Sequence, residues 1–160
     1  DNGAGVAVMY TKGVTMVNNT FQHNWGSSSY GLLLKDIRDS FVTDNTFIEN
    51  SVGIFMEGSS RNEIKNNSFN QNGYALKLQA SCDDNVIARN NFQQNTFDLV
   101  TNGSLVLNKI DSNYWDRYEG YDLNRDQVGD VPYRPISMYG TIVERMPQAI
   151  LLWRSFLVFL

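Results

Sequence analysis

The side chains with the clearest capacity for chemistry are Asp122, Asn124, Asp126 and Asp130, which alternate along Asp122-Leu123-Asn124-Arg125-Asp126-Gln127-Val128-Gly129-Asp130. Oxygen ligands at every second position, joined by the carbonyl of Val128, follow the first part of an EF-hand-like calcium loop. The match is partial. Gln127 stands where the turn glycine belongs, Gly129 comes two residues late, and Tyr133 takes the place of the bidentate acid. A loop held by Asx turns, with no ion, accounts for the same residues. The other chemistry open to carboxylates, glycoside hydrolysis, needs two acids about 5 to 10 Å apart on one face, so its test is which acids the chain brings together.

The elements that position these residues follow from a repeat. Phe21, Phe47, Phe69, Phe92 and Trp115 are separated by 26, 22, 23 and 23 residues. Two positions before each stands an asparagine: Asn19, Asn45, Asn67, Asn90 and Asn113. Three before those lies an aliphatic side chain (Met16, Val42, Ile64, Ile87, Ile110), and Asn24, Asn50, Asn72 and Asn95 follow the first four aromatics by three. Asn62, Asn85 and Asn108 add a further amide in the last three repeats. Upstream, Gly5-Val6-Ala7-Val8, Gly31-Leu32-Leu33-Leu34, Gly53-Ile54-Phe55-Met56 and Ala75-Leu76-Lys77-Leu78 each start small and then alternate. Such short period-2 segments between Gly, Ser, Asn and Asp cannot bury a face alone and must stack.

The expected architecture is all-β: a right-handed parallel β-helix, a solenoid of about five coils, closed by a C-terminal cap containing a short helix. Coils spaced about 4.8 Å apart place like residues over like, so the five asparagines from Asn19 to Asn113 form an amide ladder. A leucine-rich repeat fits less well, because the position two before its last aliphatic is mostly polar here (Val14, Ser40, Asn62, Asn85, Asn108). The coils occupy 1–115. The cap occupies 116–160, with the acidic loop and an apolar segment from Met146 to Leu160 that Pro147 would start as a helix. That segment is too short, and too interrupted by Arg154, to span a bilayer; it is expected to pack on the solenoid or on a membrane partner. With no initiator Met or signal peptide at Asp1, the chain reads as the C-terminal part of a longer protein.

Composition narrows the function. A formal charge of −4, from 13 Lys plus Arg against 17 Asp plus Glu, argues against nucleic acid as partner. One cysteine, Cys82, excludes a disulfide framework. The outward columns of the first strand read Ala7, Leu33, Phe55, Lys77 and then Met9, Lys35, Glu57, Gln79; the column Asn18, Asp44, Asn66, Arg89, Ser112 again offers one acid. No catalytic pair is visible, and Lys35 is placed to neutralise Glu57. The apolar row Ala7, Leu33, Phe55 is either a docking face or is covered by the loop from Trp25 to Tyr30.

The string Asn-Tyr-Trp-Asp-x-Tyr-x-Gly-x-Asp-x-Asn-x-Asp-x-x-Gly-Asp-Val-Pro-Tyr-Arg-Pro from Asn113 to Pro135, with Val143-Glu144-Arg145 and the apolar end, resembles the NosD family of periplasmic β-helical proteins. The resemblance implies a non-enzymatic, copper-binding accessory protein that helps mature nitrous oxide reductase, docking on the permease of an ABC transporter and on the apo reductase. The alternative is a carbohydrate-binding or polysaccharide-modifying β-helix. Copper calls for soft ligands. His23, with Met9, is the candidate copper pair; Met16 and Met56 fall at core positions, and Cys82 reads as a buried filler. Met138 and Met146 lie in the cap.

Overall fold

The computed structural model describes residues 3–79, 81–102 and 107–129. Its architecture starts at the corners. Asn18, Asp44, Asn66, Arg89 and Ser112 all take a left-handed backbone, with φ between 54° and 57°, and each directly precedes a ladder asparagine. His23, Glu49, Gln71 and Gln94 do the same at 52° to 59°. Earlier in each of the first four coils stand two more, Tyr10 and Gly13, Asp36 and Asp39, Gly58 and Arg61, Ser81 and Asp84. Non-glycine residues resist this conformation at a cost of about 1–3 kcal/mol. At the corners before Asn45, Asn67 and Asn90 the next side chain enters a ladder, where hydrogen bonds offset that cost.

Between corners run strands too short to stand alone. The first coil holds β1 (Ala4–Met9), β2 (Thr15–Val17) and β3 (Thr20–Gln22); the second β4 (Tyr30–Lys35), β5 (Phe41–Thr43) and β6 (Thr46–Ile48). The third has β7 (Val52–Glu57), β8 (Glu63–Lys65) and β9 (Ser68–Asn70), and the fourth β10 (Tyr74–Leu78), β11 (Val86–Ala88) and β12 (Asn91–Gln93). The fifth has β13 (Phe97–Thr101), β14 (Lys109–Asp111) and β15 (Tyr114–Trp115). They stack as three five-stranded parallel sheets, β1-β4-β7-β10-β13, β2-β5-β8-β11-β14 and β3-β6-β9-β12-β15. The register follows the repeat: Met16 pairs with Val42, Phe21 with Phe47 and Phe69 with Phe92. The fold is thus the expected all-β solenoid of five coils. The expected terminal helix lies outside the described residues.

The core is a set of columns. Rings of Phe21, Phe47, Phe69, Phe92 and Trp115 stack with centroids 4.9, 4.9, 4.9 and 4.3 Å apart and planes within 9° of parallel. Phe47, Phe69 and Phe92 are wholly buried, which contributes about 1.5–3 kcal/mol apiece. At the start of the strands of the first sheet the backbones of successive coils close to contact. A Cβ on Gly53 would meet the Ala75 carbonyl at 2.5 Å, so only the smallest residue fits there.

Three amide ladders tie the coils. Asn45 Oδ1 accepts from Asn19 N at 2.9 Å and Asn19 Nδ2 at 3.2 Å, and Asn67, Asn90 and Asn113 repeat the contact. A second ladder runs Asn24, Asn50, Asn72, Asn95 and a third Ser40, Asn62, Asn85, Asn108. Interior members are buried, as such groups are only when paired.

Candidate metal and docking sites

The ladders consume the inward side chains, so chemistry is left to the corners and outer faces. At the corner between the third and first sheets, His23 donates from Nδ1 to Glu49 Oε2 at 2.8 Å, and one rung on Gln71 Nε2 donates to Gln94 Oε1 at 3.2 Å. The His23 side chain is 58% exposed. With Nδ1 engaged by a carboxylate, Nε2 is the nitrogen left to take a metal, and this carboxylate–histidine arrangement is the usual support of a metal-binding imidazole.

Met9, also exposed, ends β1 opposite Lys35. It is not beside His23. Asn24, the next residue after His23, abuts Gly5, and Met9 lies four residues along the strand, about 13 Å away at 3.3 Å per residue. Met16, Met56 and Cys82 are buried in the core, where burial pushes the Cys82 thiol up. Among the described residues no three His, Cys, Asp or Glu side chains converge as a metal cluster.

In the acidic loop the side-chain oxygens already engage the loop's own amides. Asp122 accepts from Asp126 N at 3.2 Å and Gln127 N at 2.9 Å, Asn124 from Asp126 N at 3.2 Å, and Asp126 from Val128 N at 2.9 Å. Gln127 has φ of 70°, the left-handed turn for which a calcium loop uses glycine. Asp130, Met138 and Met146 lie outside the described residues.

Acids on the outer faces meet cations. Lys35 Nζ is 3.9 Å from Glu57, and Lys65 is 2.8 Å from Glu63. Arg61 grips both oxygens of Asp39, at 2.8 and 3.2 Å, and this hydrogen bonding holds the Asp39 carboxyl below the usual range. On the first sheet the Tyr30 ring packs against Phe55 at 4.9 Å, so the loop's end partly covers the apolar row while Trp25 stays 51% exposed. Tyr74 stacks with Phe97 at 5.2 Å, and Lys77 Nζ sits 4.9 Å above the Tyr74 ring.

One site carries no signal in the repeat. Asp98 occupies the column of Gly5, Gly31, Gly53 and Ala75 and is 2% exposed. Its Oδ1 accepts from Asn95 Nδ2 at 3.3 Å; Oδ2 has no hydrogen bond and faces Arg117 Nη1 at 3.9 Å. Arg117 also donates to the carbonyls of Asn95 and Thr96. The pair stands in for a sixth rung, giving Asn95 an acceptor and the last carbonyls a donor. Burial raises the Asp98 carboxyl despite Arg117.

Known proteins share this pattern. A relative from Stutzerimonas stutzeri, named a probable ABC transporter binding protein NosD, is 28% identical over 167 residues, covering 93% of this chain and 38% of its own length. One of the same name from Pseudomonas aeruginosa is 33% identical over 105 residues, 64% of this chain and 24% of its own. The chain thus spans well under half of either relative. The family model described as "Periplasmic copper-binding protein (NosD)" matches residues 1–125, which take in every coil and the start of the acidic loop. On that match, laid over the five coils and the segment that closes them, the chain belongs to the NosD family.

Proposed function

We propose that this chain forms part of a periplasmic, copper-binding accessory protein that works with an ABC transporter in assembling the copper centres of nitrous oxide reductase, and that it is not an enzyme. The observation that carries the reading is the family match across all five coils. The relatives' name supports a transporter as partner. Nitrous oxide reductase enters through the family resemblance. In this reading His23 takes the ion through Nε2 while Glu49 fixes the ring. Met9, on a separate corner, offers a soft ligand to an ion passed to a partner rather than enclosed. The absence of catalysis is supported by the cation pairing of Glu57, Glu63 and Asp39. The acidic loop is read as a calcium site of Asp122, Asn124, Asp126 and Asp130, supported by the left-handed Gln127.

The alternative, a carbohydrate-binding β-helix, is favoured by the rings of Tyr30, Phe55, Tyr74 and Phe97 outside the core. The full-length protein purified without chelators should retain copper by elemental analysis and compete for Cu(I) with a chromophoric chelator. His23→Ala should weaken that competition at least tenfold, and Glu49→Gln by a smaller factor. A protein that takes no copper but binds oligosaccharides through Tyr30 and Tyr74 would replace this reading with the alternative.

A further inference from the structure

The outer face of the third sheet differs from the other two in carrying no charged side chain on its strands. In β6, β9 and β12 the rings of Phe47, Phe69 and Phe92 enter the core, which leaves Thr46, Ser68 and Asn91 in one outward column and Ile48, Asn70 and Gln93 in the next. The first sheet, by contrast, shows Lys35 and Glu57, and the second shows Glu63, Lys65, Lys109 and Asp111. An exposed ring continues the first column. Tyr114 lies one rung beyond Asn91, paired with it in register, and is 57% exposed.

Two amides on this face are left over. Asn70 Oδ1 and Asn91 Oδ1 are screened from solvent and take no hydrogen bond from any described residue. The ladder asparagines of the same two coils behave oppositely: Asn67, Asn72, Asn90 and Asn95 each accept two donors. A screened acceptor without a donor lowers stability, and native chains keep few of them. Here two stand one rung and two residues apart, about 8 Å on the diagonal of one outer face.

We propose that this face binds a neutral oligosaccharide, laid along the solenoid axis over Ser68, Asn91 and Tyr114 with Asn70 at its flank. Neighbouring sugar hydroxyls satisfy both ends of a carboxamide, donating to its oxygen and accepting from its nitrogen. The carboxamide torsion is soft, so each oxygen turns outward when a hydroxyl is there to meet it. The Tyr114 ring offers an apolar face to the C–H side of a sugar and a hydroxyl to its rim. An anionic polysaccharide would find no cation on these strands. A peptide strand would need a sheet edge for its own amides, and β6, β9 and β12 are interior strands. The site lies apart from the rings of the first sheet, and it does not depend on the copper reading.

The test is calorimetric titration of the full chain with cellohexaose, laminarihexaose and maltohexaose, and with hexagalacturonate as the charged comparison. At least one neutral hexasaccharide should bind, and more tightly than hexagalacturonate. Asn70→Ala, Asn91→Ala and Tyr114→Ala should each weaken that binding about two- to tenfold. In the absence of sugar, Asn70→Ala and Asn91→Ala should leave Tm unchanged or raise it, because each removes an oxygen that the free protein leaves unpaired. Asn70→Thr and Asn91→Thr, which suit an outward strand position, serve if an alanine variant does not fold. The proposal is overturned if no neutral hexasaccharide binds, if hexagalacturonate binds more tightly, or if Asn70→Ala and Asn91→Ala lower Tm as a ladder change does. Binding that survives all three variants but is lost in Tyr30→Ala or Tyr74→Ala would equally overturn it, moving the sugar to the first sheet.

Discussion

Asn67→Ala tests the ladder at its most enclosed rung. The Asn67 side chain makes four contacts: Oδ1 accepts from Asn45 N at 2.9 Å and Asn45 Nδ2 at 3.2 Å, and Nδ2 donates to Val42 O at 2.8 Å and Asn90 Oδ1 at 3.1 Å. Two partners keep an alternative, because Asn45 Nδ2 still reaches Met16 O and Asn90 Oδ1 still accepts from Asn67 N. The Asn45 N–H keeps none and is stranded in a residue only 1% exposed. A stranded buried donor costs about 1–3 kcal/mol and each of the other three lost bonds about 0.5–1.5 kcal/mol, so the whole change is roughly 2.5–7.5 kcal/mol. Asn19→Ala, in the first coil, strands nothing comparable, since Asn19 Oδ1 receives no donor among the described residues. It should cost about 1 kcal/mol or less. Urea unfolding of both variants, followed by circular dichroism, gives the difference directly. Costs equal to within about 0.5 kcal/mol would refute cooperative pairing along the ladder.

Three further outcomes follow from the same coordinates. Phe69→Ala removes a fully buried ring stacked 4.9 Å from both neighbours; unfolding free energy should fall by about 3–5 kcal/mol, and a loss under about 1 kcal/mol would show that the column can collapse around the gap. Cys82 is buried with a raised thiol, so Ellman's reagent at mildly alkaline pH should label it slowly in the native protein and promptly in urea; fast native labelling would contradict the packing. The raised Asp98 carboxyl means that folding favours its protonated form: stability is fullest below the ordinary carboxylate range and declines as pH rises through the raised value. Tm measured against pH should show that decline in the parent and a flatter profile in Asp98→Asn, and parallel profiles would refute it.

Much of the architecture was legible because stacking turns sequence period into spatial column. Phe21, Phe47, Phe69, Phe92 and Trp115 were alignable by spacing alone, and the rings do stack. The outward placement of Lys35 against Glu57 followed from period-2 alternation. The left-handed corners were less visible, since Glu49, Arg89 and Gln94 have no preference for that conformation and adopt it only because the next residue must enter the ladder. Asp98 was unreadable for the opposite reason: it breaks its column of small residues, and only the geometry shows that it ends the Asn95 ladder with Arg117. For His23, the turn column shared with Glu49 was in the sequence, but the Nδ1 contact that leaves Nε2 open is a matter of side-chain geometry. The pairing of His23 with Met9 depended on distance around the coil, which periodicity does not measure.

The ladders also set how the molecule bears load. Hydrogen bonds between neighbouring coils run along the axis, so tension applied between the two ends is carried by one inter-coil seam after another rather than shared across all of them. A tether pulled in an optical trap should therefore lengthen in a staircase, each step freeing the 22 to 26 residues that separate partners in adjacent rungs. Sideways shear would instead meet many seams at once, making the rod stiff across its width and extensible along its length.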